Sequence, residues 1–317
     1  MTTNITLLFP GQGSQYVGMG KKFEGKKCFD TFDQANDVLG YNLSKIIFEG
    51  PENELQMTYN AQPAILTYSV VLLRRLKEII KTKNVKIDHV LGHSLGEYSA
   101  LVSAGTLSFE DAVKAVHIRG QFMQDAVPKG VGKMIAVMKV PQEKIIEACK
   151  QASNNDEKVM PANFNEPNQI VISGNAKACD RAVMWLNENI EGRLRAIELK
   201  VSAPFHSSYM EPAAKRLKDM LETFPFNENT IPYIANINAN EYSTETKPET
   251  IRKNLVKQVT GTVMWTQSIQ KLNPKTLCLE VGPGKVLAGL VRKINPDIKV
   301  ISLDRETAFS DIEEIFS

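Results

Sequence analysis

The strongest constraint on the fold is a recurring alternation along the chain. Short apolar runs, each too brief for a stable helix, are separated by longer stretches with helical periodicity. The runs at 5–9, 87–92, 197–201, 233–237, 276–281 and 299–303 read as strands, and 63–80 and 110–127 read as helices. Pro63 is expected in the first turn of its helix, where a missing N–H is tolerated. Alternation of this kind implies parallel strands joined by crossovers, hence an α/β fold with a mostly parallel sheet. The segment 132–201 breaks the rhythm, reading strand, helix, strand, strand, helix, strand at 133–140, 142–152, 159–163, 169–173, 176–189 and 195–201. That order predicts an inserted ferredoxin-like α+β subdomain. Pro128-Lys129-Gly130 marks the junction. The expected organisation is a catalytic core over 1–128 and 203–317 and a small subdomain over 129–202.

At 317 residues the chain is long enough for such a core and insertion. A net charge of +2 provides no global field for nucleic acid or a membrane surface, so neither is expected as a partner. The cluster Lys21, Lys22, Lys26 and Lys27 is short and reads as a solvated face, with a patch for an acidic partner as the alternative. Cys28, Cys149, Cys179 and Cys278 lie far apart without C-x-x-C spacing, so no metal site or disulfide framework is expected and a reducing compartment fits. The N-terminus lacks a basic signal-like region, and the apolar run 64–73 is interrupted by polar residues and ends at Arg74, Arg75 and Lys77. A cytoplasmic location is the expectation.

Gly92-His93-Ser94-Leu95-Gly96 fits G-x-S-x-G. An apolar run precedes it and a helical run follows, which is the strand–turn–helix setting of a nucleophile elbow. In that setting Ser94 is exposed at a helix N-terminus, where N–H groups favour developing negative charge. The N–H of Leu95 is the natural first oxyanion donor. A serine nucleophile needs a base, and the histidines are His89, His93, His117 and His206. His89 lies on the incoming strand, His93 points away from its neighbour Ser94, and His117 falls within a helix. His206 is better placed, in a loop between the strand at 197–201 and a helix opened by a capping box at Ser208 and Glu211. Loops at the carboxyl ends of parallel strands gather at one edge, which would let Ser94 and His206 converge. An ordinary α/β-hydrolase order would place an acid between serine and histidine. None can be chosen here, so a Ser-His dyad is admitted.

Pro10-Gly11-Gln12-Gly13-Ser14-Gln15 lacks the third glycine of a dinucleotide loop, since position 16 is Tyr16. Gly282-Pro283-Gly284-Lys285 lacks the serine or threonine of a phosphate loop. Both read as tight turns at strand ends that bring bare N–H groups near a reacting atom, with Gln12 N–H as the second oxyanion donor. In the helix at 110–127, Arg119 falls on the apolar stripe of Ala112, Val116, Met123 and Val127. It should therefore be buried and paired, either with an internal carboxylate or with a carboxylate on the substrate.

Together, Gly11-Gln12-Gly13-Ser14-Gln15, Ala61-Gln62-Pro63-Ala64, Gly92-His93-Ser94-Leu95-Gly96-Glu97-Tyr98, Arg119-Gly120, Pro204-Phe205-His206 and Glu280-Val281-Gly282-Pro283-Gly284 closely resemble the malonyl-CoA:acyl carrier protein transacylases. They also resemble the acyltransferase domains of polyketide and fatty acid synthases. The resemblance runs from about residue 4 to 305. It implies a hydrolase-like α/β core with the inserted ferredoxin-like subdomain. It further implies Ser94 as nucleophile, His206 as base and later acid, and Gln12 and Leu95 as oxyanion hole. Arg119 would hold the malonyl carboxylate, Gln258 would orient the histidine through its backbone carbonyl, and Asn163 would line the pocket. Tyr209 receives no role. The implied substrates are malonyl-CoA and phosphopantetheinylated acyl carrier protein, with no cofactor or metal and with the enzyme a monomer. The rivals are a thioesterase or acyl hydrolase, a free-standing polyketide acyltransferase, and a non-catalytic carrier-binding module.

Overall fold

A computed structural model of the chain describes residues 2–128, 130–305 and 307–317. Lys129, in the expected junction, lies outside the described residues. Among the described residues the strands are β1 (Thr3–Phe9), β2 (Val85–Gly92), β3 (Gly132–Met138), β4 (Val159–Glu166), β5 (Gln169–Asn175), β6 (Arg195–Glu198), β7 (Tyr233–Ile234), β8 (Glu241–Tyr242), β9 (Leu277–Glu280) and β10 (Lys299–Ser302). They form two sheets, ordered β10-β9-β1-β2-β7-β8 and β4-β5-β3-β6.

The larger sheet is parallel except for β8, which runs against β7. At its centre β1 and the carboxyl half of β2 are apolar on both faces, as a parallel sheet covered on both sides requires. Ile5, Leu7 and Phe9 of β1 face one core, while Leu8, Leu91 and Ile234 face another with Trp265 and Leu287. The smaller sheet is antiparallel throughout. One face, with Ile135, Val137, Ile170 and Ile172, packs against helices Gln142–Ala152 and Ala176–Asn189. The other, with Met134, Ala136 and Val171, joins the main core.

Several expectations are corrected. The run at 197–201 was read both as a strand of the parallel sheet and as the last strand of the inserted unit. Only the second holds, because β6 pairs with β3 alone at an edge. Arg195, Glu198 and Lys200 give it too many charges for a strand covered on both faces. The strand at 233–237 shrinks to β7, and β8 is too short to leave a sequence signal. Pro63 lies inside the helix Thr58–Ile80 rather than in its first turn. The missing N–H would have bonded the Tyr59 carbonyl, and His117 Nδ1 donates to that oxygen instead, at 2.8 Å. The capping box at Ser208 does not form. A short turn, Ser208–Met210, leads into the helix Glu211–Glu222, which Pro212 opens.

All four cysteines are unpaired and buried. No helix among the described residues is long and apolar enough to cross a membrane. No cluster of His, Cys, Asp and Glu among them could hold a metal ion.

Leu7 is fully buried on β1, the strand flanked by β2 and β9. Leu7→Ala should cost about 2–5 kcal/mol in a denaturant titration, and a loss under about 1 kcal/mol would contradict its place at the centre of the core.

Candidate active site

The carboxyl ends of β1, β2 and β7 open on one edge of the larger sheet, and Ser94 stands there. Its φ of 51° is left-handed, a conformation costly for a residue with a Cβ. Close packing holds it. A Cβ on Gly92 would land on the Gly96 carbonyl, and one on Gly96 would land on the Phe9 carbonyl at the end of β1. Asn236, just past β7, clips the turn. Its Oδ1 accepts from Ser94 N–H at 2.6 Å, and its Nδ2 donates to the Gly92 carbonyl at 2.5 Å. The helix Gly96–Ser103 then runs directly away from the serine.

His206 reaches Ser94 by a route different from the one expected. It follows the smaller sheet, not a strand of the parallel one, and takes its own left-handed φ of 57°. Its Nε2 lies 2.7 Å from Ser94 Oγ, and its Nδ1 lies 2.8 Å from the backbone carbonyl of Gln258, on the helix Pro248–Thr260. A carbonyl can only accept, so Nδ1 carries the proton and Nε2 is left as the acceptor for the serine hydroxyl. Burial first, and then the positive charge of Arg119, pushes His206 from 6.5 down to about 3.

Arg119 is 1% exposed, and its described hydrogen-bond partners are not carboxylates. Nη1 donates to Gln62 Oε1 at 2.7 Å, and Nη2 donates to Gln258 Oε1 at 2.9 Å and to Ser94 Oγ at 3.4 Å. Nε is buried without a partner among the described residues. The expectation of burial holds, and of the two pairings weighed, no internal carboxylate among the described residues touches the guanidinium. Gly120 permits the approach, since a Cβ there would meet the backbone of Tyr59 at 2.6 Å. Behind Gln258 lies Glu97, also 1% exposed. Burial pushes its carboxyl up to about 7, against the opposing effect of a hydrogen bond from Gln258.

Ser94, His206, Arg119 and Gln62 line a cavity of about 460 Å³, together with Gln12, Leu95, Asn163, Met123 and Phe205. Neither Gln12 N–H nor Leu95 N–H has a backbone acceptor among the described residues. The second glycine corner is elsewhere. None of Gly282, Pro283 and Gly284 lines the cavity, Gly284 N–H donates to Asp304, and Glu280 accepts from Leu287 and Ala288 at the start of the helix Val286–Ile294. His93 bonds Asn165 Oδ1 at 2.8 Å and His89 pairs with Glu241, so neither competes with His206 for the serine.

Residues 6–294 match the acyl transferase domain family. The chain belongs to the acyl transferase family. It is 44% identical over 310 residues to the malonyl CoA-acyl carrier protein transacylase of Bacillus subtilis, covering 96% of this chain and 95% of that one. The solved malonyl CoA-acyl carrier protein transacylase of Coxiella burnetii superposes with a TM-score of 0.92 at 34% identity, covering 100% of this chain and 98% of that one. A malonyl-transacylase solved in complex with a type II polyketide carrier protein superposes at 0.91, 36% identical, covering 99% and 100%. The resemblance stated from the motifs is thus borne out, and the α/β fold with one mostly parallel and one antiparallel sheet matches the solved acyl transferases.

Sequence reasoning gave no role to Gln62, Glu97, Asn236 or the side chain of Gln258. Gln62 and Glu97 sit inside quoted motifs, as polar residues on otherwise apolar helix stretches, and that was the available signal. Asn236 left none, because its contacts are to strands and turns far away in the chain.

With these contacts, the His206 imidazole should stay neutral well below 6.5 when followed by NMR, and Arg119→Ala should move the midpoint up, because a positive neighbour is removed. A midpoint near 6.5 in the unaltered protein would contradict this placement.

Proposed function

We propose that this acyl transferase moves a malonyl group from malonyl-CoA to the phosphopantetheine thiol of an acyl carrier protein through an acyl-Ser94 intermediate. The observation that carries the reading is the buried guanidinium of Arg119, charged yet hydrogen-bonded among the described residues to neutral oxygens, 3.4 Å from the hydroxyl of Ser94. An arginine held this way is short of an anion, and a donor with a carboxylate one methylene from its thioester supplies one close to the serine.

In the first half-reaction His206 Nε2 takes the Ser94 proton and Oγ attacks the thioester carbonyl carbon. The carbonyl electron pair moves to oxygen, where the N–H groups of Leu95 and Gln12 receive it, at a typical worth of about 3–4 kcal/mol per donor. Collapse of the intermediate expels coenzyme A, whose sulfur takes the proton from His206. In the second half the carrier thiol gives its proton to His206 and attacks the ester, and Ser94 leaves and is reprotonated. The Gln258 carbonyl keeps Nδ1 protonated throughout, in the position a triad acid would hold. A carboxylate seated on Arg119 also offsets the field that depresses His206, so donor binding makes the base stronger.

The reading extends to several finer points. Gln12, Leu95 and Asn163 are assigned to the pocket, and no cofactor or metal is required. The core over 1–128 and 203–317 is taken as hydrolase-like and the insertion over 129–202 as ferredoxin-like, supported by its β-α-β-β-α-β order and antiparallel sheet. A cytoplasmic monomer is the corresponding cellular form. Whether the carrier belongs to fatty acid or polyketide synthesis is decided by which holo carrier protein discharges the intermediate.

Intact-protein mass spectrometry after brief exposure to malonyl-CoA should show a malonyl adduct that disappears on adding holo carrier protein and that Ser94→Ala never forms. An adduct that decays equally fast without carrier would point to a hydrolase. In Arg119→Ala, kcat/KM for malonyl-CoA should fall roughly 100-fold, the scale of losing a two-pronged charge-assisted contact, while acetyl transfer rises relative to malonyl. Unchanged malonyl preference would remove the carboxylate clamp.

A further inference from the structure

Glu97 has no part in the mechanism above, yet it is a carboxylate buried beside the reacting groups. The carboxamide of Gln258 explains why. A side-chain amide has one acceptor oxygen and two donor hydrogens, and here all have partners. Nε2 donates to the Ser94 carbonyl and to Glu97 Oε2, both at 2.8 Å, and Oε1 accepts from Arg119 Nη2 at 2.9 Å. Flipping the amide would press its NH2 against a guanidinium, which has only donors, and would turn its oxygen to a carbonyl and a carboxylate, which have only acceptors. The same Glu97 oxygen accepts from Asn236 N–H at 3.3 Å, so it is tied to the residue that clips the Ser94 turn.

We propose that Glu97 is a positioning residue for donor selectivity: acting through Gln258, it fixes the direction in which Arg119 presents its charge to the cavity. This rests on the reading of Arg119 as a carboxylate clamp. The arrangement differs from an ordinary buried ion pair. Direct contact between Glu97 and Arg119 would consume the donors that a substrate carboxylate needs. With an amide between them, Glu97 fixes the carboxamide of Gln258 and the carboxamide fixes Arg119, while the guanidinium keeps a donor face on the cavity. Glu97 touches neither the donor nor the reacting atoms.

The test is the ratio of kcat/KM for malonyl-CoA to that for acetyl-CoA, since acetyl carries no carboxylate and makes no demand on Arg119. In Glu97→Ala the ratio should fall roughly tenfold, the scale of one misdirected charge-assisted hydrogen bond. Glu97→Gln, which keeps an acceptor oxygen at the same reach, should retain most of the ratio. Glu97→Asp, which keeps the charge but draws it back by one methylene, should lose more than Glu97→Gln does. That ordering carries the test even if the alanine variant fails to fold. In an Arg119→Ala background, changing Glu97 should leave the ratio where Arg119→Ala put it. Equal losses for both donors would reduce Glu97 to a scaffold residue and overturn the proposal. So would the reverse order, with Glu97→Asp better than Glu97→Gln, or a change in ratio that persists without Arg119. If Arg119→Ala alone keeps the malonyl preference, the clamp itself fails and takes the proposal with it, an outcome distinct from the others.

Discussion

The left-handed backbone of Ser94 is the constraint on which the rest of the site depends. A conformation disfavoured by about 1–2 kcal/mol for a residue with a Cβ persists only when its surroundings leave no alternative. Here Gly92 and Gly96 pack so closely against each other and against the end of β1 that no side chain fits at either position. Asn236 bonds the turn on both sides of the serine. The serine hydroxyl is thereby projected off the sheet edge, and every other group in the site is placed relative to it.

Gln258 links the remaining parts. Its backbone carbonyl sets the tautomer of His206, its carboxamide oxygen receives Arg119, and its NH2 returns to the Ser94 carbonyl and to Glu97. One residue on one helix therefore connects His206, Arg119 and the turn that carries Ser94. The smaller sheet closes the other side. Its inward residues Met134 and Val171 form part of the cavity wall, while its outward residues are covered by its own two helices. The smaller sheet is thus part of the cavity wall and not an appendage to it.

Local chemistry explains what the sequence made legible. The glycines around Ser94 act within a few residues of one another, the helical stripe of Arg119 has a fixed period, and apolar runs covered on both faces mark the parallel strands. Ser94, His206 and Arg119 could be singled out on that footing. Errors arose where tertiary context overruled a local signal. The run at 197–201 reads both as a parallel strand and as the last strand of the smaller unit, and pairing with β3 places it at the edge of the smaller sheet. Pro63 looked like a helix start because the histidine that satisfies the Tyr59 carbonyl lies on a different helix.

By itself, the sequence determined the α/β alternation, the strand and helix order of the second sheet, the tight turn at Ser94 and the burial of Arg119, because each follows from spacing along one segment. Only the tertiary structure decided what Arg119 faces, which backbone carbonyl holds His206, and how Asn236, Gln258 and Glu97 join Ser94 to Arg119. Those contacts join residues 25 to 164 positions apart in the chain. Hydrogen-bond partners at that separation are fixed by how sheets and helices pack, and no periodicity in the chain encodes them.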